Sequence, residues 1–129
     1  MMISTKGRNA LRIMIDLAQH QDDGNIPLRD IATRQNASLK YLEAIAGKLS
    51  KKELITARHG KNGGYRLNRP VENYTVGDIL RLTEGDLSPV SCDAQCDRNC
   101  PSRSMWTKLG KMIDDFFDGI TLKQLMEQE

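Results

Sequence analysis

Residues 54 to 70 read LITARHGKNGGYRLNRP, two short strand-like runs around a turn holding three glycines. They follow directly on two short amphipathic segments, LRDIATRQ and LKYLEAIAGKLSKK. A pair of helices joined by a tight turn recurs in many bundles and constrains little by itself. A glycine-rich hairpin placed immediately behind that pair constrains far more. Together they predict a winged helix-turn-helix, with the exposed second helix at about residues 38–52 and the wing at about 55–68. The alternative is an ordinary hairpin with a flexible tip. The wing is favoured because its turn is also basic, with Arg58, His59 and Lys61. Gly63 and Gly64, with Gly60, permit close backbone approach there.

The rest of the chain fits a mainly α protein with one small β-hairpin. Ser4 to His20 carries Ala10, Leu11, Met14, Leu17 and Ala18 on a helical stripe. DDGN at 22–25 breaks it, and Pro27 opens a short helix that turns Leu28, Ile31 and Ala32 inward. Asn36 and Ala37 make the turn, and Ser38 caps the next helix. Leu39, Leu42, Ala46 and Leu49 form its inner face; Lys40, Tyr41, Glu43, Ala44, Gly47, Lys48 and Lys51 are left largely outward. Thr75 caps a fourth helix with Val76, Ile79, Leu80 and Leu82 apolar. An irregular stretch follows, then a long helix, SRSMWTKLGKMIDDFF, ended by Gly119. Trp106, Leu109, Ile113 and Phe116 recur along one stripe, with Met105, Met112 and Phe117 beside it. Thr121 caps a last short helix. The division is residues 1–84 as the DNA-binding unit, 85–102 as a cysteine-containing loop, and 103–129 as a dimerisation helix with its short C-terminal helix. The dimer is favoured over packing within one copy because a unit of about 80 residues already has its own core. Trp106, Leu109, Met112, Ile113, Phe116 and Phe117 are the expected seam.

Charge is unevenly spread along the 129 residues. Residues 1–69 hold thirteen Lys or Arg against six Asp or Glu, and residues 70–129 hold six against eleven. The halves carry +7 and −5 within a net of +2. A basic front half points to a polyanion, double-stranded DNA, as partner. No apolar run approaches the roughly 20 residues that cross a bilayer. The N-terminus lacks the apolar core of a secretory signal. A cytoplasmic protein without membrane attachment is expected.

A recognition helix presents its N-terminal residues to base edges in the major groove. That role falls to Ser38, Lys40, Tyr41 and Glu43. Lys donates to guanine, Glu accepts from the cytosine amino group, and Ser or Tyr also holds phosphate. Lys48, Lys51 and Lys52 lie farther along and either fix the backbone or stay solvated. Arg58 and Lys61 of the wing suit a narrow minor groove. Lys6 and Arg8, at the start of the first helix, are further phosphate contacts.

Cys92, Cys96 and Cys100 are the chain's three cysteines, four apart. Such thiols in a reducing compartment more often bind metal or sense redox state than form disulfides. Soft thiolates select iron–sulfur clusters, Zn or Cu(I). A structural Zn site takes four protein ligands, and the two histidines, His20 and His59, both lie in the DNA-binding half. A small thiol oxidoreductase is disfavoured: there is no C-x-x-C and no strand–helix alternation around the thiols. Nor is any nucleophile–base pair visible, and the adjacent Asp114 and Asp115 point apart on their helix, which disfavours paired-carboxylate chemistry. The chain is not expected to be an enzyme. A third class, an interaction module that engages a metabolic enzyme with DNA binding secondary, stays open.

ISTKGRNALR, IPLRDIATRQNASLKYLEAIAGKL, HGKNGGYRL and ITLKQLME occur in this order over nearly the whole chain. With them the sequence resembles the IscR/NsrR/CymR-type (Rrf-type) winged-helix transcription regulators. The resemblance implies homodimers on near-palindromic promoter sites and a long dimerisation helix at 103–118. It also implies a sensor. Some members hold an iron–sulfur cluster on three cysteines between the fourth helix and the dimer helix, where Cys92, Cys96 and Cys100 stand. Others respond through a thiol or a partner enzyme. The cysteine spacing here is tighter than in the best-known cluster-bearing members. Arg103 stands where a ligating histidine is expected, Arg8 at the acidic position of nitric-oxide-sensing relatives, and His59 at the usual wing arginine. The reading is thus a regulator, acting as a repressor, controlled by an iron–sulfur cluster, [2Fe-2S] or [4Fe-4S]. Its fourth ligand is open among Asp93, Asp97, the second protomer and a small molecule. The alternative is a metal-free, thiol- or partner-responsive regulator of cysteine metabolism, with a cysteine-metabolism enzyme as partner. Zn ranks third.

Overall fold

Four hydroxyl side chains start four of the helices. Ser4 Oγ accepts from the Gly7 N–H at 3.0 Å, Ser38 Oγ from Tyr41 at 3.3 Å, Thr75 Oγ1 from Asp78 at 3.0 Å and Thr121 Oγ1 from Gln124 at 3.2 Å. Each cap satisfies a donor the helix cannot satisfy internally and contributes about 1 kcal/mol. The Asp78 and Gln124 side chains accept in turn from the cap backbone, completing two capping boxes. The computed structural model describes residues 3–90 and 100–128. Its elements are α1 (Thr5–Gln19), α2 (Leu28–Gln35), α3 (Leu39–Lys51), β1 (Ile55–Arg58), β2 (Gly64–Leu67), α4 (Val76–Glu84), α5 (Arg103–Asp118) and α6 (Leu122–Met126). The mainly α fold with a small hairpin matches the expectation.

The main core gathers Ile13, Met14 and Leu17 of α1, Ile31 of α2, Leu42, Ile45 and Leu49 of α3, Ile55 of β1, Ile79 of α4 and Leu122 of α6. α6 therefore returns to the core built by α1–α4 and β1. Leu39 departs from its expected inward position and is 41 % exposed. It is the first helical residue, where the stripe runs past the end of the core, and Ile45 fills the inner face instead. Asp16 is buried between α1 and α2, gripped by Arg34 through Nε–Oδ2 at 2.9 Å and Nη2–Oδ1 at 2.6 Å.

α5 differs from the other long helices, for none of its residues is buried. Its apolar residues span about 140° of arc at 3.6 residues per turn, too wide for one neighbour. Ile113 and Phe117 pack on a second cluster of Val76, Leu80 and Leu87. Met105, Leu109, Met112 and Phe116 stay exposed. The single stripe expected through Leu109, Ile113 and Phe116 is thus two stripes side by side, one turned to the chain's own α4. Among the described residues no helix is long and apolar enough to cross a membrane.

Candidate nucleic-acid interface

The turn between α2 and α3 rests on Asn36, left-handed at φ 51°, a conformation Asn tolerates better than most residues. Its N–H meets the Thr33 carbonyl at 3.3 Å, and the Ala37 N–H meets Ala32 at 3.0 Å. α3 therefore starts at a set angle to α2. With Leu42, Ile45, Ala46 and Leu49 buried, its opposite face is open: Ser38, Lys40, Tyr41, Glu43, Ala44 and Gly47 are exposed and Lys48 is half-buried.

The hairpin pairs Ile55 with Leu67, Thr56 with Arg66, Ala57 with Tyr65 and Arg58 with Gly64. Ile55, Ala57, Tyr65 and Leu67 share one face of this ladder. Alternation puts Thr56, Arg58, Arg66 and Asn68 on the other. Arg66 is a cation that motif reasoning misses, although the two-residue period that exposes Arg58 exposes it too. Tyr65 also exchanges both backbone hydrogen bonds with Ile26, at 2.8 and 2.9 Å. This ties the wing to the residue pair that starts α2. Gly64 has φ +150° and runs against the Ile26–Pro27 backbone, where a Cβ has no space. Gly63 is confined likewise by the carbonyls of Arg58 and Gly60. Both glycines are needed by the wing's own packing. Arg58, His59 and Lys61 are exposed.

A polar cleft of about 710 Å³ separates the end of α3 from the wing. Lys52, Glu53, Thr56, His59, Asn68 and Arg69 line it. Arg69 is a second cation that the pattern of the sequence leaves unassigned. Tyr74, fully buried, donates to the Leu54 carbonyl at 2.7 Å and accepts from the Asn68 N–H at 3.1 Å. One phenol thus joins the strand entering the wing to the strand leaving it.

Lys6 and Arg8 lie on the first turn of α1, half-buried and exposed respectively, with Arg8 Nη2 on Thr5 Oγ1 at 3.2 Å. The Glu84 carboxylate caps that turn, taking the Ser4 N–H at 3.1 Å and the Ser4 hydroxyl.

Of the three cysteines, Cys92 and Cys96 lie outside the described residues. Cys100 is half-buried, its Sγ 3.3 Å from Ser102 Oγ. That contact, with the Ser102 and Arg103 N–H groups, holds the thiol below its ordinary range. Asp93 and Asp97 also lie outside the described residues. Among the described residues no cluster of three His, Cys, Asp or Glu side chains forms a metal site. On α5, Trp106 is half-buried, and with Met105, Leu109 and Met112 it lines an apolar groove of about 520 Å³.

A family model described as Rrf2, iron-dependent transcriptional regulator, matches residues 3–128. The HTH-type transcriptional regulator IscR of Vibrio campbellii is 34 % identical over 131 residues, spanning 98 % of this chain and 78 % of that protein. The solved structure of CymR, the global cysteine regulator of B. subtilis, superposes with a TM-score of 0.87 at 35 % identity, covering 98 % of this chain and 96 % of that one. The IscR of T. potens superposes with a TM-score of 0.82 at 36 % identity, covering 98 % and 87 %. These relatives are regulators, not enzymes.

Proposed function

The chain belongs to the Rrf2 family of transcriptional regulators, and on that premise we propose that it is a cytoplasmic repressor that binds near-palindromic promoter DNA as a homodimer. One observation carries the reading: the outward face of α3 and the basic wing are fixed to the same frame, with a polar cleft between them. Ser38, Lys40, Tyr41 and Glu43 enter the major groove. Arg58, His59 and Lys61 reach the flanking backbone or minor groove, joined by Arg66, while Lys6, Arg8 and Lys48 hold phosphates. Gly63 and Gly64 keep the wing thin enough to lie against the duplex. Met105, Leu109, Met112 and Phe116 meet their counterparts in a second copy, with Trp106 at the edge of that seam. Ile113 and Phe117 support it from behind.

Binding to a duplex from the protein's own promoter region tests this. Arg58→Ala or Lys61→Ala weakens binding to all sequences and lowers the salt slope by about one unit for each phosphate left without its cation. Glu43→Ala changes base preference instead. A salt slope untouched by either wing variant removes the wing from the interface.

The controlling group we propose is an iron–sulfur cluster on Cys92, Cys96 and Cys100. The family's description as iron-dependent supports it, as does the Cys100 thiol, whose surroundings favour the thiolate that ligates iron. A bound cluster supplies a centre sensitive to oxidation or nitric oxide. Segment 85–102 joins α4 to α5, so a constraint on its cysteines bears on how α5 leaves the domain. Anaerobically purified protein is expected to show visible absorption, iron and sulfide. A colourless, iron-free protein after reconstitution leaves the second reading, a thiol- or partner-responsive regulator of cysteine metabolism working with an enzyme of that metabolism. The similarity to a cysteine regulator favours that reading.

A further inference from the structure

Among the described residues, side chains of α5 hold it to its own domain by two kinds of contact. Ile113 and Phe117 pack on Val76, Leu80 and Leu87. Apolar contact of this kind is non-directional; it resists separation better than it resists roll or tilt. The other contact is directional. Arg81 of α4 donates from Nη1 to Asp118 Oδ1 at 2.7 Å, from Nη2 to Asp118 Oδ2 at 3.1 Å, and from Nη2 to Asp114 Oδ1 at 2.9 Å. Asp114 and Asp118 are one helical turn apart. A single planar guanidinium therefore grips α5 at two levels about 6 Å apart along its axis. Gly77, one turn before Arg81, makes the seat: a Cβ there would strike the Asp118 carboxylate and stand 2.7 Å from Arg81 Nη1. A glycine weakens a helix interior, and here its missing side chain is what admits the carboxylate.

From this geometry we propose that Arg81 is a positioning residue, setting the angle at which the dimer helix leaves the reading head and so the half-site spacing the homodimer accepts. The inference rests on the DNA-binding dimer proposed above. Three features carry it. First, Asp114 and Asp118 centre about 170° round α5 from Met105, Leu109, Met112 and Phe116, at 100° per residue. Gripping one side aims the other. Second, the chain just after α5 is pinned by Val76 N–H to Ile120 O and Leu122 N–H to Tyr74 O, each 2.9 Å, and Ile113 and Phe117 of its second half pack on the domain, whereas Met105 and Leu109 of its first half are exposed. The helix spans about 24 Å, so a tilt of about 10° at the pinned end moves the free end roughly 4 Å. That is close to the ~3.4 Å rise of one base pair along a strand. Third, Arg81 lines a cleft with Lys52, Leu54 and Arg69, so the clamp abuts the last turn of α3 and the exit of the wing.

The test uses the full chain and promoter duplexes in which the spacer between half-sites is lengthened or shortened by single base pairs. Arg81→Glu places three carboxylates together and is expected to weaken binding at the wild-type spacing by about tenfold, within the usual range of coupling between sites. Its optimum spacing shifts or broadens, while dimerisation by sedimentation and binding to a single half-site are retained. The exchange Arg81→Glu with Asp118→Arg restores the wild-type profile. Should Arg81→Glu fail to fold, Asp114→Asn with Asp118→Asn removes the charges and is expected to blur the spacing optimum in the same way. A folded variant with a wild-type spacing profile overturns the clamp and leaves the dimeric reader standing. A wild-type chain that is monomeric, or that prefers no promoter duplex, overturns both.

Discussion

Tyr74 shows what one residue does for the hairpin. Its ring is fully buried under the Arg69 guanidinium, 4.9 Å from the ring centre, and its hydroxyl serves Leu54 and Asn68 at once. Tyr74→Phe keeps the packing and strands a carbonyl and an N–H at the foot of the wing. It is expected to cost about 1–3 kcal/mol, read as a lower urea midpoint; an unchanged midpoint would show that water replaces the phenol. Gly47 is the converse case. A Cβ there meets nothing within 4 Å, so Gly47→Ala should stabilise the isolated protein by about 0.5–1 kcal/mol. On the proposed reading it also weakens promoter binding, because Gly47 lies on the outward face of α3. Calorimetry beside a binding titration separates the two effects. Gly47 is legible in the sequence as an outward residue. Tyr74 is not, because nothing in its neighbourhood of the chain reveals partners 20 and 6 residues away.

At the scale of elements, the starts of α1, α3, α4 and α6 are readable because a cap and its partner lie within three residues. The wing register is readable in outline from the glycines and the two-residue period. The junction of α4 with α5 is not, for Arg81 stands 33 and 37 residues from its acids. That junction carries a pH dependence. The hydrogen bond from Arg81 holds Asp118 below the usual carboxylate range. Its folded pKa is therefore below its unfolded one, near 3.9. The stabilisation is complete above the unfolded value and is lost as pH falls through the folded value. Both side chains are partly exposed, at 34 % and 46 %, so the effect is a few tenths of a kcal/mol. Asp118→Asn is expected to lower the melting temperature slightly at pH 7 and to match the parent in strong acid. A deficit that persists unchanged in acid would locate the effect in packing instead.

Across the whole molecule, charge and apolar surface are divided between two ends. The basic first half carries the helix pair and wing proposed to read DNA, and α5 in the acidic half carries the exposed stripe, with Met112 at 66 % and Phe116 at 63 % exposure. Solvent is a poor partner for four large apolar side chains in one row. If the proposed dimer forms through this stripe, Phe116→Glu should leave the chain monomeric at concentrations where the parent self-associates, as sedimentation reads it. The variant's fold is expected to stay within about 0.5 kcal/mol of the parent, as for other surface substitutions. A variant that remains dimeric would place the seam elsewhere.

The order of elements, the helix starts, the turn at Asn36 and the basic wing were all determined by the sequence itself. Each depends on interactions within a few residues or on a local period, and such forces act before any distant segment arrives. Only the folded chain decided which half of α5's apolar arc faces inward, that Leu39 stands outside the core, and that Asp16 with Arg34 and Arg81 with Asp114 and Asp118 are paired. Those outcomes depend on which surfaces compete for the same buried space and on where a charge meets its partner. Packing of remote segments sets both.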